Sequence, residues 1–92
     1  MANVIITLRI MPSDTDVDLG ALEGVVKGKI QAFTGETEMR VAQKPIAFGL
    51  SALEIIFVTD EKKGSTEALE QDIAALDEVN SCEVIDVRRA VG

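Results

Sequence analysis

The chain has 92 residues, 47% of them apolar, with 16 acidic and 9 basic side chains and a formal net charge of −7. That length closes one small core, that apolar content excludes a disordered chain, and that charge disfavours unaided binding to nucleic acid or an anionic membrane. With no His and a single cysteine, Cys82, an internal disulfide, a zinc set and any Ser-His-Asp or Cys-His catalyst are excluded as well.

Met1-Ala2-Asn3-Val4 carries no basic stretch ahead of its apolar run, and Arg9 interrupts that run early, so no signal peptide is expected. No window approaches the ~18 apolar residues that span a bilayer. The expectation is a soluble, cytoplasmic domain without direct nucleic-acid or membrane contact, and the lone thiol fits a reducing compartment.

Val4, Ile6, Leu8 and Ile10 alternate with Ile5, Thr7 and Arg9, the period-two pattern of a strand with one apolar face. Met11-Pro12-Ser13-Asp14 ends it. A helix then starts near Asp16 or Asp18, with Leu19, Leu22, Val26, Ile30 and Phe33 on one face and Thr34-Gly35 at its end. Gly20, Gly24 and Gly28 line the opposite face at four-residue spacing. That face is either exposed and tolerant or closely approached by another backbone.

Residues 36–44 read as a second, more polar strand centred on 38–43, and 50–59 as a third. In the third, Leu53, Ile55 and Phe57 share one face while Ile56 and Val58 lie on the other. Asp60-Glu61-Lys62-Lys63-Gly64 is a mixed-charge turn. Ser65 caps a second helix with Leu69, Ile73, Leu76 and Val79 on its buried side, closed by Asn80-Ser81. A last strand over 83–89 carries Val84, Ile85 and Val87, with a buried face that the pattern leaves ambiguous. The order β-α-β-β-α-β is the α+β, ferredoxin-like split βαβ arrangement: a four-stranded antiparallel sheet with two helices on one face. Ile5, Ile56 and Val58 would give the open face an apolar patch.

No phosphate-cradling glycine motif occurs. An RNA-recognition module of this topology would stack bases on sheet aromatics above a basic surface. Here the central strands offer only Phe57, and the net charge has the opposite sign. Cys82 reads as a small filler at a helix-to-strand junction. Asp14, Asp16 and Asp18 form D-x-D-x-D, a pattern that can aim oxygens at a hard cation. The sixth and twelfth places hold Leu19 and Val25 rather than Gly and Glu, so this is no EF-hand. It is either a weak Ca²⁺ site or an acidic helix start favoured by the helix dipole.

Phe48 is one of only three aromatics and stands in the loop Pro45-Ile46-Ala47-Phe48-Gly49-Leu50, as a core plug or as a probe for a partner. That loop, with Met11-Pro12-Ser13-Asp14-Thr15-Asp16, Val58-Thr59-Asp60-Glu61-Lys62 and Asp86-Val87-Arg88-Arg89, resembles the archaeal elongation factor 1-beta family. The chain is also similar to the C-terminal domain of eukaryotic elongation factor 1-beta proteins, over essentially its whole length. The resemblance implies a single guanine-nucleotide exchange domain over residues 1–92, acting on the GTPase elongation factor 1-alpha by disturbing its Mg²⁺ and phosphate site. It implies neither bond-making chemistry nor a required cofactor. Pro45, Ile46, Phe48 and Gly49 would form an aromatic anchor for the partner. Asp60, Glu61 and Lys62 would contact the GTPase from the same end of the sheet, and Arg88 and Arg89 would join that surface. Eukaryotic members carry a Lys just before their last residue, placed to compete with Mg²⁺. The matching place here holds Arg89, followed by Ala90-Val91-Gly92.

Two other classes compete. A ferredoxin-like small-molecule-sensing module would need a ligand pocket near the first loop. An acylphosphatase-like hydrolase would need a phosphate-cradling loop there, whereas Pro12-Ser13-Asp14-Thr15-Asp16 would repel phosphate.

Overall fold

The computed structural model describes residues 3–35 and 37–90. Its elements are β1 (Asn3–Pro12), α1 (Leu19–Thr34), β2 (Met39–Pro45), β3 (Ser51–Asp60), α2 (Glu67–Ala74) and β4 (Val79–Ala90), with a single 3₁₀ turn at Glu61–Lys63. One antiparallel sheet holds the four strands in the order β2-β3-β1-β4, which is the ferredoxin-like α+β plan. Among the described residues no helix is long and apolar enough to cross a membrane.

The core follows from strand parity. Ile6, Leu8 and Ile10 of β1 lie on the same face as Leu53, Ile55 and Phe57 of β3, because the register pairs Ile6 with Phe57, Leu8 with Ile55 and Ile10 with Leu53. All six are buried, and Leu22, Val26 and Ile30 of α1 and Leu69 and Ile73 of α2 complete the cluster. Leu19, Phe33, Met39 and Val41 pack partly buried against its edge.

Local chemistry sets the helix ends. The Asp18 carboxylate accepts from the N–H groups of Gly20 and Ala21 at 3.0 and 3.2 Å, so α1 starts after Asp18. Gly35, at φ +84°, ends it by donating to the Gln31 carbonyl. The expected cap of α2 is displaced by one residue. Thr66 is the N-cap, while Ser65 Oγ accepts from Glu67 N–H at 3.0 Å. A Cβ on Gly24 or Gly28 would meet nothing within 4 Å, so within this chain the glycine face of α1 lies open.

The expected end of α2 needs correcting. The helix stops at Ala74, and Val79 is the first residue of β4, with Asn80 and Ser81 inside the strand. The chain extends there because Val79 gains a partner in Pro12 while its side chain stays in the core. The ambiguous face of β4 has a related cause. Register breaks between Thr7 and Leu8 and between Met11 and Pro12 place Ile85 and Asn80 out of pairing. A bulge of one residue reverses the alternation. Cys82 and Val84 therefore share the helix-covered face with Ile10 and Leu8, while beyond the break Val87 and Arg89 take it over, opposite Ile6 and Val4.

The opposite face carries Ile5 beside Val58 and Thr7 beside Ile56. Below them Arg9 Nη2 donates to Glu54 Oε2 across the β1–β3 pair at 3.3 Å. The open patch of Ile5, Ile56 and Val58 is thus formed as expected, beside Glu38 and Arg40.

Two outcomes follow from this packing. Phe57 is completely buried between Ile6 and Met39, so Phe57→Ala is expected to cost about 3–5 kcal/mol in chemical denaturation. The Cys82 thiol is pushed from an ordinary 9.0 up to about 12 by burial first, then by Glu70 and Glu83. The folded state holds its proton where the unfolded chain has lost it, so stability falls as pH rises from about 9 towards 12. Melting followed across that window is expected to show a steeper decline for the native chain than for Cys82→Ala.

Candidate functional site

The candidate residues separate into two groups. β3 runs antiparallel to both of its neighbours, so its start and its finish lie at opposite ends of the sheet. At the start are the 46–50 loop, the close of β1 at Pro12 and the 13–18 loop. At the finish are Asp60, Asn3 and the last turn of β4, paired as Asn3 with Asp60 and Val4 with Arg89. The expectation that Asp60, Glu61 and Lys62 share an end with Phe48 is therefore incorrect. A strand of 10 residues stands between them, a rigid separation of about 30 Å. Arg88 and Arg89 belong with the Asp60 group.

At the first end the β2–β3 connection closes as a hairpin. Pro45 pairs with Ser51, Ile46 N–H donates to the Leu50 carbonyl at 2.9 Å, and Leu50 N–H donates to the Ala47 carbonyl at 3.0 Å. Phe48 and Gly49 are the two central residues of this last turn, at φ +57° and +78°. Two positive φ angles in succession match the mirror-image turn whose twist suits a hairpin, a turn that favours Asn-Gly. Gly49 meets the demand without strain. For Phe48 the left-handed conformation costs roughly 1–2 kcal/mol. Its ring gains nothing from the core in return, since Phe48 is 96% exposed, with Ile46 also exposed beside it. Of the two sequence readings, a core plug is excluded.

The 13–18 loop lies alongside. Asp14 Oδ1 accepts from Thr15 N–H at 2.6 Å and from Thr15 Oγ1 at 3.2 Å, and Asp18 caps α1. Two of the three aspartates thus serve backbone groups. Among the described residues no group of three or more His, Cys, Asp or Glu converges to hold a metal ion.

At the second end Asp60 Oδ1 accepts from Lys62 N–H at 2.9 Å and caps the 3₁₀ turn. Arg89 Nη2 donates to Glu61 Oε2 at 2.8 Å, and Arg88 Nε to Asp86 Oδ2 at 2.9 Å. The Arg89 and Glu61 side chains are 71% and 41% exposed. An ion pair so placed contributes only about 0–1 kcal/mol and parts readily. Among the described residues Lys62 and Lys63 pair with no carboxylate, so their ammonium groups point charge at solvent. Arg88 faces the open side of the sheet opposite Ile5, and Arg89 the helix side opposite Val4.

Sequence reasoning missed three features. The left-handed turn at Phe48 was signalled only by Gly49, since Phe is disfavoured at the first central position of such a turn. The contact of the two loops at the first end had no sequence signal. Nor did Thr37, whose hydroxyl donates to the Val58 carbonyl at 2.7 Å and accepts from Val58 N–H at 3.3 Å, extending the β2–β3 pairing by a side chain.

Comparison with known proteins agrees with this architecture. Residues 5–90 match the EF-1 guanine nucleotide exchange domain. The chain is 44% identical over 89 residues to elongation factor 1-beta of Methanosphaera stadtmanae, covering 97% of this chain and 98% of the relative. It is 42% identical over 90 residues to that of Methanobrevibacter smithii, with the same coverage. Among solved structures, a de novo designed protein, Foldit4, superposes with a TM-score of 0.67 at 17% identity over 98% of both chains, which reflects the fold alone. The chain belongs to the EF-1 guanine nucleotide exchange domain family, alongside the archaeal elongation factors 1-beta.

Proposed function

We propose that this domain accelerates GDP release from elongation factor 1-alpha by engaging it at both ends of the sheet. Phe48 anchors one end, and the Asp60–Lys62 turn with Arg88 and Arg89 acts at the other. The observation that carries this reading is Phe48: an aromatic side chain held almost wholly in water, on a turn conformation that disfavours it. Strain kept at an exposed residue points to a role outside the fold, and buried aromatics supply much of the energy of protein interfaces.

Exchange needs no ionisable catalyst. A factor that binds the nucleotide-free GTPase more tightly than the GDP-bound form lowers the affinity for GDP by the ratio of those two affinities. A rigid span of about 30 Å between anchor and charged end lets binding at one end be converted into displacement at the other. At the charged end the groups able to act on a Mg²⁺-phosphate site are the ammonium of Lys62 and the guanidinium of Arg89. The latter becomes available once its exposed pair with Glu61 parts. Arg89 offers a planar fork suited to phosphate oxygens, where Lys would offer a point charge. No cofactor is required for this, and Asp14 and Asp18 serve backbone N–H groups of their own loop.

The small-molecule-sensing alternative finds less support. The cavity near the first loop has about 60 Å³, well below the roughly 300–1,000 Å³ typical of ligand sites.

Release of a fluorescent GDP analogue from purified elongation factor 1-alpha tests the reading, with substoichiometric acceleration expected and its absence decisive against it. Phe48→Ala is expected to abolish most of the acceleration with the fold intact. Phe48→Asn is expected to do the same while raising stability by up to about 1 kcal/mol, a shift of several degrees in Tm for a domain of this size. Loss of stability in both variants would return Phe48 to the core. Arg89→Ala is expected to slow release with less than about 1 kcal/mol of destabilisation.

A further inference from the structure

The Phe48 turn projects from a hairpin whose outer strand, β2, is an edge of the sheet. Its own ties are few: the two backbone hydrogen bonds made by Ile46 and Leu50. An aromatic anchor that swings freely loses affinity in proportion to the time it spends out of position. Something in the body of the domain must limit that freedom, and one element faces the turn.

Across a cavity of about 60 Å³ the turn meets the 13–18 loop, with Gly49, Leu50 and Ser51 on one wall and Pro12, Thr15 and Val17 on the other. A Cβ on Gly49 would lie 3.6 Å from Thr15 Cγ2, an ordinary van der Waals distance, so the methyl of Thr15 neighbours the left-handed apex on the side where Gly49 has no side chain. Thr15 is itself held on both sides. Its N–H and hydroxyl donate to Asp14 Oδ1 at 2.6 and 3.2 Å, Ser13 N–H donates to the Glu78 carbonyl at 2.8 Å, and Val17 N–H reaches the Asp14 carbonyl at 3.4 Å. Pro12, at the root of the loop, is buried. The loop is thus fastened to α1, through the Asp18 cap, and to the start of β4, through Glu78.

We propose that Thr15 is a positioning residue: its methyl group, on a backbone tied to Asp14 through the Thr15 N–H, backs the Phe48-Gly49 apex and holds the anchor in its binding geometry before the partner arrives. This rests on the exchange reading above and gives the acidic loop a mechanical part in it. Thr15 acts through the turn and not on the nucleotide.

The test compares Thr15→Gly, which removes the backing, with Thr15→Val, which keeps a methyl at the same place. Backbone ¹⁵N relaxation of the free domain reads the mobility of Phe48 and Gly49. Nucleotide-release kinetics against factor concentration read the consequence. In Thr15→Gly the order parameters at Phe48 and Gly49 are expected to fall, with those of β1 and β3 unchanged. If the turn then holds its geometry for about 10–30% of the time, the half-saturating concentration rises roughly three- to tenfold while the maximal release rate stays near that of the native chain. Thr15→Val is expected to match the native chain in both measurements. Unchanged order parameters in Thr15→Gly, or a loosened turn with unchanged half-saturation, would overturn the proposal. The relaxation experiment needs no partner. A native chain that fails to accelerate release therefore removes the exchange reading, while the relaxation arm still decides whether Thr15 holds the turn.

Discussion

The antiparallel register of β1 against β3 is the constraint on which the rest of the molecule depends. Pairing Ile6 with Phe57, Leu8 with Ile55 and Ile10 with Leu53 puts the six buried apolar side chains of that pairing on one face. A shift of one residue would turn that face to solvent. With the register set, both helices have one surface to cover, and the open face carries the patch of Ile5, Ile56 and Val58 beside Glu38 and Arg40. The same pairing fixes function at a distance. Because β3 is unbroken over 10 residues, the hairpin tip at Phe48 and the turn after Asp60 are held apart as the two ends of one rod.

The parts of this fold legible in the sequence are those governed by a single period. β1, α1 and β3 each bury a continuous stripe, and each lies where its pattern places it to within a residue or two. β4 was harder to read because two bulges reset its alternation, and a bulge is set by what the neighbouring strand demands. Val79 was read with α2 for a similar reason. Its apolar side chain is buried in either assignment, and only pairing with Pro12 decides between helix and strand. At the candidate site the residues themselves stood out, Phe48 through scarcity and Arg88-Arg89 through charge. Their arrangement did not, since placing a turn and a strand end together or apart depends on strand direction, which no local pattern contains.

Phe48 shows how a local rule is broken where the fold does not benefit. A mirror-image turn of this kind favours Asn before Gly, and the hairpin would close at least as well with it. Keeping a large apolar ring there disfavours the folded state through the left-handed backbone. That cost is not offset by burial, because Phe48 is 96% exposed. Consistency between local preference and global fold is the usual condition of a foldable sequence, and departures from it concentrate at working sites.

Charge is mixed at the end of the sheet away from the anchor. The chain as a whole carries −7, and this end sets Lys62, Lys63, Arg88 and Arg89 among Asp60, Glu61 and Asp86, with Glu38 and Arg40 beside Ile5 and Val58 and Glu67 opening α2. The Debye length in physiological salt is about 8 Å, so a surface about 30 Å away contributes little and the local mixture of both signs decides what this end presents. Two of its cations are occupied by weak, exposed pairs with Glu61 and Asp86. Such pairs hold a guanidinium in place in water, yet they yield to a phosphate or to a more acidic surface, because little free energy is lost when they part. At this end the cations therefore act singly, as groups freed from exposed pairs, and not as a field that orients the whole domain. In the proposed exchange role, charged contacts at one end and an aromatic contact at the other would reach the same partner together because β3 holds them about 30 Å apart.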